Sequence, residues 1–308
     1  MRRHAACAVV ALTLAFGGCS DGAAVADIPE AGTSLEAMPA TAPEPPRSRA
    51  DNYAAFAAVL ARHTAMSERV ARISRRLRVA NAPLCEVTRA DAGLSTHRLS
   101  DYPSGLRPLA LHFMDLGEDG RYVRSVVPGS PADRAALSPG TRIVSGWPLR
   151  MDAALVTSEG PVEMTPDRAC VSPAFVVDAP QPNAGTDGRE IELTTALVDS
   201  VPDDASLAFI IAHEMAHVLR GHAQAGPRWT AELQADADAL TLLSNAGYDV
   251  AQTVDGWEAG VEAHRESQAM SVTHPPVEMR MRNLEAALRR LQARQVQSRQ
   301  GGVNRLEE

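Results

Sequence analysis

His213-Glu214-Met215-Ala216-His217 sets two imidazoles and a carboxylate inside an apolar run, and Glu232 and Asp236 follow closely. Side chains four apart on a helix stand about 40° from one another around the axis, so both imidazoles can reach one ion. A metal with three protein ligands and one open position prepares a water for hydrolysis, and Glu214 is placed to take that water's proton. The residue types and their spacing point to a zinc-dependent hydrolase. The plainer reading, a buried helix carrying two polar histidines, leaves Glu214 without a purpose.

The flanking residues predict the helix that such a pair needs. Leu207-Ala208-Phe209-Ile210-Ile211-Ala212 leads in, Asp203 and Asp204 suit the amides at its start, and Gly221 suits its stop. A third ligand must come from elsewhere. Gly221 and His222 miss the spacing that metzincins use, and Asp238 requires a different helix face. Glu232 fits best. The run after Thr230 reads as a second helix with Thr230 as N-cap and Gly247 near its end. Glu232 and Asp236 share a face there, so Glu232 can bind the ion while Asp236 accepts the outer N–H of a ligating histidine. Acidic residues at this spacing can also simply solvate a helix face.

These segments, followed by Thr273-His274-Pro275 and Arg280, stand in the order found in the family-48 metallopeptidases, which the chain resembles from Asn183 to Leu291. That gluzincin family includes HtpX-type heat-shock proteases, CAAX prenyl endopeptidases and periplasmic quality-control proteases. The resemblance implies an α+β fold, with a mainly helical zincin protease domain and a small edge-strand sheet. It implies Zn2+ held by His213, His217 and Glu232, with Glu214 as general base. It also implies that His274 faces the metal, as an oxyanion donor or as a fourth ligand that substrate displaces. Arg280 is expected to pair with a buried carboxylate, Asp236 being one candidate. Asn183-Ala184, Gly188, Ile191 and Thr194-Thr195 are similar to the strand that aligns extended substrates in the family. Substrate is therefore expected along Arg189, Glu190, Ile191, Glu192, Leu193 and Thr194. Thr186 and Ala196 depart from the family pattern, and the short spacer before Glu232 leaves no room for a transmembrane pair. Among the other histidines, His63 and His264 are expected to be solvated, and His97 and His112 belong to a separate region.

The front of the chain reads as a lipoprotein leader. Met1-Arg2-Arg3-His4 is basic, residues 5–16 are apolar, and Gly17-Gly18-Cys19 closes a lipobox, giving a signal peptide over 1–18 and lipidation at Cys19. Ser20 in place of aspartate favours the outer membrane, facing the periplasm. Residues 19–50 form a flexible tether. Residues 51–79 predict an amphipathic helix with Tyr53, Phe56, Leu60, Val70, Ile73 and Leu77 near one stripe, and the segment 51–84 is expected to pack on the protease core. Cys85 and Cys170 remain as a pair, expected to form a disulfide in an oxidising compartment. The segment between them, 85–170, is similar at residues 122–146 to the centre of a bacterial PDZ domain, with Gly93-Leu94 as the candidate carboxylate loop. Thr141 and the short stretch after Gly140 depart from that pattern, which leaves peptide binding and a spacer or lid role both open. The protease domain then spans 171–295, discontinuous with its first helix, and a polar tail covers 296–308.

A length of 308 residues at 45% hydrophobic is enough for two modest domains and a tether. The aromatic content of 4% and net charge of −8 argue against a nucleic-acid partner. The expectation is a zinc endopeptidase acting on misfolded or unassembled envelope proteins, held to the membrane only by its N-terminal lipid. Envelope-assembly partners would reach it through the insert. The rival reading is a zinc-containing, chaperone-like or peptide-binding outer-membrane lipoprotein without proteolysis.

Overall fold

One long helix, α1 (Arg49–Ala80), is the spine on which the rest is assembled. The computed structural model describes residues 10–11, 49–102, 104, 107–114, 116–151, 154–222, 228–255 and 275–303. The apolar stripe of α1 serves two partners instead of one. Met66, Val70, Ile73 and Leu77 are buried in the main core with Ile191, Leu207 and Leu240. Toward the N-terminus, Tyr53 and Phe56 leave that core and meet Phe113 of α2 (Arg107–Met114), with ring centroids 6.1 and 5.9 Å apart. His63 is half-buried, not solvated: its Nδ1 lies 3.3 Å from Ser67 Oγ and 3.4 Å from a guanidinium nitrogen of Arg124.

The segment between the cysteines leaves and returns through a neck. Strand β2 (Thr88–Asp91) pairs antiparallel with β8 (Asp167–Cys170), with Thr88 opposite Cys170. Cys85 and Cys170 are joined by a disulfide, with Cα atoms 5.6 Å apart. Arg75 and Arg78 of α1 grip the same neck. Both pair with Asp91, at 3.1 and 2.9 Å, and Arg75 also pairs with Asp167. Beyond the neck lies a five-stranded sheet in the order β3-β4-β5-β6-β7, namely Leu94–His97, Arg121–Val126, Arg142–Ser145, Leu155–Thr157 and Gly160–Val162. Helix α3 (Pro131–Arg134) covers it, and Ala92, Val123, Ala132, Leu137, Ile143 and Leu155 form a second core.

The other sheet leads into the helices that carry the histidine motif. β9 (Ala174–Val177), β10 (Ala184–Thr186) and β11 (Ile191–Thr194) are followed by α4 (Thr195–Ser200), α5 (Asp204–Arg220), α6 (Trp229–Asn245) and α7 (Val277–Val303). A turn at Asp187, Gly188 and Arg189 joins β10 to β11. Gly188 takes a positive φ of 89°, and the Asp187 carboxylate accepts the N–H groups of Arg189 and Glu190 at 2.8 Å.

The expected substrate strand needs correction here. Ile191, Glu192, Leu193 and Thr194 form an inner strand, antiparallel to β10 on one side and parallel to β9 on the other. Both of its ladders are used, so no extended peptide can add to it. Arg189 and Glu190 lie outside the strand altogether. The outer position belongs to β10, where Val10–Ala11 (β1) pairs antiparallel, Val10 opposite Thr186 and Ala11 opposite Gly185. Among the described residues no helix is long and apolar enough to cross a membrane.

The disulfide closes a sequence separation of 85 residues, so it mainly restricts the unfolded chain. Replacing both cysteines by serine is expected to lower the unfolding free energy by about 2–5 kcal/mol. Urea denaturation followed by circular dichroism checks this.

Candidate metal centre

Helix α5 is held at both ends by its own sequence. The Asp203 carboxylate accepts the Ser206 N–H at 2.7 Å, and Gly221 closes the helix in the left-handed conformation at φ 65°. Every residue from Leu207 to His217 is buried. The ionisable side chains of the motif are therefore set into an apolar helix face, where their charges must be met by partners.

His213 Nε2 and His217 Nε2 face each other at 3.1 Å. From α6, the two carboxylate oxygens of Glu232 reach them, Oε2 at 3.4 Å from His213 and Oε1 at 3.5 Å from His217. Ligands about 2.0–2.1 Å from a tetrahedral zinc stand roughly 3.3 Å from one another. The three side chains thus already hold the mutual spacing that such an ion requires. One atom beside them has no partner: Glu214 Oε2 is buried without a hydrogen bond. A carboxylate oxygen in that position fits a site meant to receive a water. The donor set of two imidazoles and a carboxylate, with Glu214 alongside, fits zinc in a catalytic arrangement.

A second layer holds the first. Asp236 Oδ1 lies 2.9 Å from His213 Nδ1, and Arg280 of α7 grips Asp236 through two nitrogens, at 2.8 and 2.5 Å. Asp236 is fully buried and Arg280 nearly so. Asp238 points elsewhere, pairing with Arg220 at 2.7 and 3.1 Å. Helix α6 starts one residue before Thr230, and Arg228 precedes it without a side-chain cap bond, so the expected Thr230 N-cap is instead part of the first turn. His274, His264 and Cys19 lie outside the described residues.

One contact was not anticipated. His222, set aside above as a ligand, lies with its Nδ1 3.0 Å from His217 Nδ1. The available signal was Gly221: a left-handed stop directly before a histidine turns that histidine back toward the helix end.

Protonation follows from this crowding. Burial opposes charge on His213, yet the hydrogen bonds to Asp236 and Glu232 outweigh it and raise its pKa to about 9. Burial, followed by the charge on His213, lowers His217 to about 3. Burial raises Glu214 to about 7, with Glu232 adding to the effect and His213 opposing it. Asp236 is held well below the carboxylate range: Arg280 and His213 overcome the cost of its burial.

The model of Peptidase family M48 matches residues 166–226, which include β10, β11 and the helix bearing His213, Glu214 and His217. Over these residues the chain is similar to this family of metallopeptidases. The match ends before Glu232, Asp236 and Arg280, so the candidate ligand from α6 and its support are read from geometry. No curated protein and no solved structure matches the chain.

A metal must displace the proton that His213 holds below its pKa of about 9. Zinc affinity is therefore expected to rise about tenfold per pH unit between pH 7 and 8, more steeply below about 7 where Glu214 also holds a proton, and to level off above about 9. Competition against a chromophoric chelator at each pH gives the slope.

Proposed function

We propose that the protein is a zinc-dependent endopeptidase in which Glu214 is the general base. The observation that carries the reading is the buried, unpartnered Oε2 of Glu214 beside the imidazole pair. A pure binding role places no demand on such a group, whereas a carboxylate oxygen left free beside the metal position suits proton transfer. His213, His217 and Glu232 would hold the metal, with Asp236 and Arg280 fixing the ring of His213. Zinc, when bound, supplies the Lewis acidity that makes water nucleophilic near neutral pH and polarises a carbonyl. Glu214 takes the water's proton as oxygen attacks the scissile carbon, then gives it to the amine as the C–N bond breaks. His274 keeps the two roles implied by resemblance, oxyanion donor or displaceable ligand.

An extended substrate would add to β10, Ala184–Thr186. Val10–Ala11 pairing antiparallel on that strand supports this reading, since it shows the edge accepting an extended segment. Under the lipoprotein reading, cleavage before Cys19 removes that segment and frees the edge for substrate. The leader pattern ending at Cys19 supports a lipid-anchored enzyme facing the periplasm at the outer membrane, with misfolded or unassembled envelope proteins as substrates. The PDZ-like reading of the insert is supported by the succession β4, α3, β5 and by β3, an edge strand directly after Gly93 at φ 73°. A peptide end added at β3 would recruit clients to the protease.

Glu214→Gln is expected to retain zinc and to lose at least about 100-fold in kcat on an unfolded protein substrate. Zinc content and cleavage are measured on the same preparations, and equal cleavage by wild type and variant would remove the reading. In His274→Ala, a fall in activity marks a donor and a rise marks a displaceable ligand.

A further inference from the structure

We propose that His222 is a positioning residue for the metal, the acceptor that holds His217 in its ligating tautomer. The inference rests on the reading of His217 as a ligand. With the Nε2 atoms of His213 and His217 turned toward each other at 3.1 Å, each ring directs Nδ1 away from the site. A ring that gives its Nε2 lone pair to a metal carries its proton on Nδ1. In a buried site that N–H must find an acceptor, or the ring turns or changes tautomer. For His213 the acceptor is Asp236, at 2.9 Å. For His217 it is His222 Nδ1, at 3.0 Å, with the two rings 72° apart in plane and their centroids separated by 5.1 Å.

The donor and acceptor roles follow from the chemistry. His217 Nδ1 donates, so His222 Nδ1 offers its lone pair. The two ligands are thus supported unequally. An anion held by Arg280 backs His213, which strengthens that ring as an electron donor. An imidazole nitrogen backs His217 and fixes its direction with less electronic push than a carboxylate.

The chain builds this support with one glycine. Gly221 closes α5 at φ 65° and ψ 28°, and its N–H reaches the carbonyl oxygens of His217 and Val218. The left-handed residue reverses the backbone, so the next side chain returns to the last turn of the helix. The turn is therefore hydrogen-bonded to the residue whose ring it supports.

Zinc dissociation constants of wild type, His222→Ala and His222→Gln, measured by chelator competition, test the proposal, together with the visible spectra of their cobalt forms and the Tm of each metal-free protein. His222→Ala is expected to bind zinc about 10–100-fold more weakly and to show an altered cobalt spectrum. His222→Gln, whose amide oxygen can accept the same N–H, is expected to recover most of the affinity and the spectrum. Wild-type affinity in His222→Ala would overturn the proposal, as would a Gln variant no better than Ala with both lowered in Tm, since that is the pattern of lost packing. Failure of the wild type itself to bind zinc would instead remove the metal centre on which the proposal stands.

Discussion

Three carboxylates, Glu214, Glu232 and Asp236, are buried around two imidazoles, and among the described residues one buried guanidinium, Arg280, faces them. With the histidines neutral, that leaves two negative charges in a space with little water. Unpaired buried charge is costly by several kcal/mol per ion, so the fold must cancel it. A divalent cation does so completely. Protons do so in its absence: His213 keeps one up to a pKa of about 9, and Glu214 holds another with a pKa of about 7. The cluster thus carries the charge that a dication would balance, and such an ion would reverse these pKa shifts.

Each element around the site keeps this cluster dry and aligned. The apolar face of α5 buries the motif, α6 brings Glu232 and Asp236 on one face, and α7 brings Arg280 to Asp236. Helix α1 lies under them through Val70, Ile73 and Leu77. The same helix grips the neck of the insert through Arg75 and Arg78. The insert therefore connects to the main core by a disulfide, a two-stranded ladder and a set of half-buried ion pairs, all close to one end of α1.

The features legible in the sequence were those governed by local rules. Asp203, the apolar run and Gly221 delimit α5 within a residue, because capping chemistry and helical period act on near neighbours. The meeting of Asp236 with His213 was legible for the same reason, since its spacing from Glu232 sets both on one helix face. Partners chosen by tertiary structure were not. Nothing in Arg189 to Thr194 states how many strands flank it, and the strand proved to be inner, with β10 outside it. Tyr53 and Phe56 read as part of one stripe, but the stripe is longer than the core it packs on, and its free end is covered by Phe113. His222 was judged by ligand spacing alone. Its contact depends on a backbone reversal at Gly221, which a helical wheel does not contain.

The most direct test of the account is zinc X-ray absorption on purified protein, comparing wild type with Glu232→Ala. About one zinc per chain in a shell of imidazole nitrogen and carboxylate oxygen at about 2.0–2.1 Å is the predicted wild-type result, with loss of metal or of the carboxylate oxygen in the variant. A zinc-free wild type, or the same shell in Glu232→Ala, would contradict it.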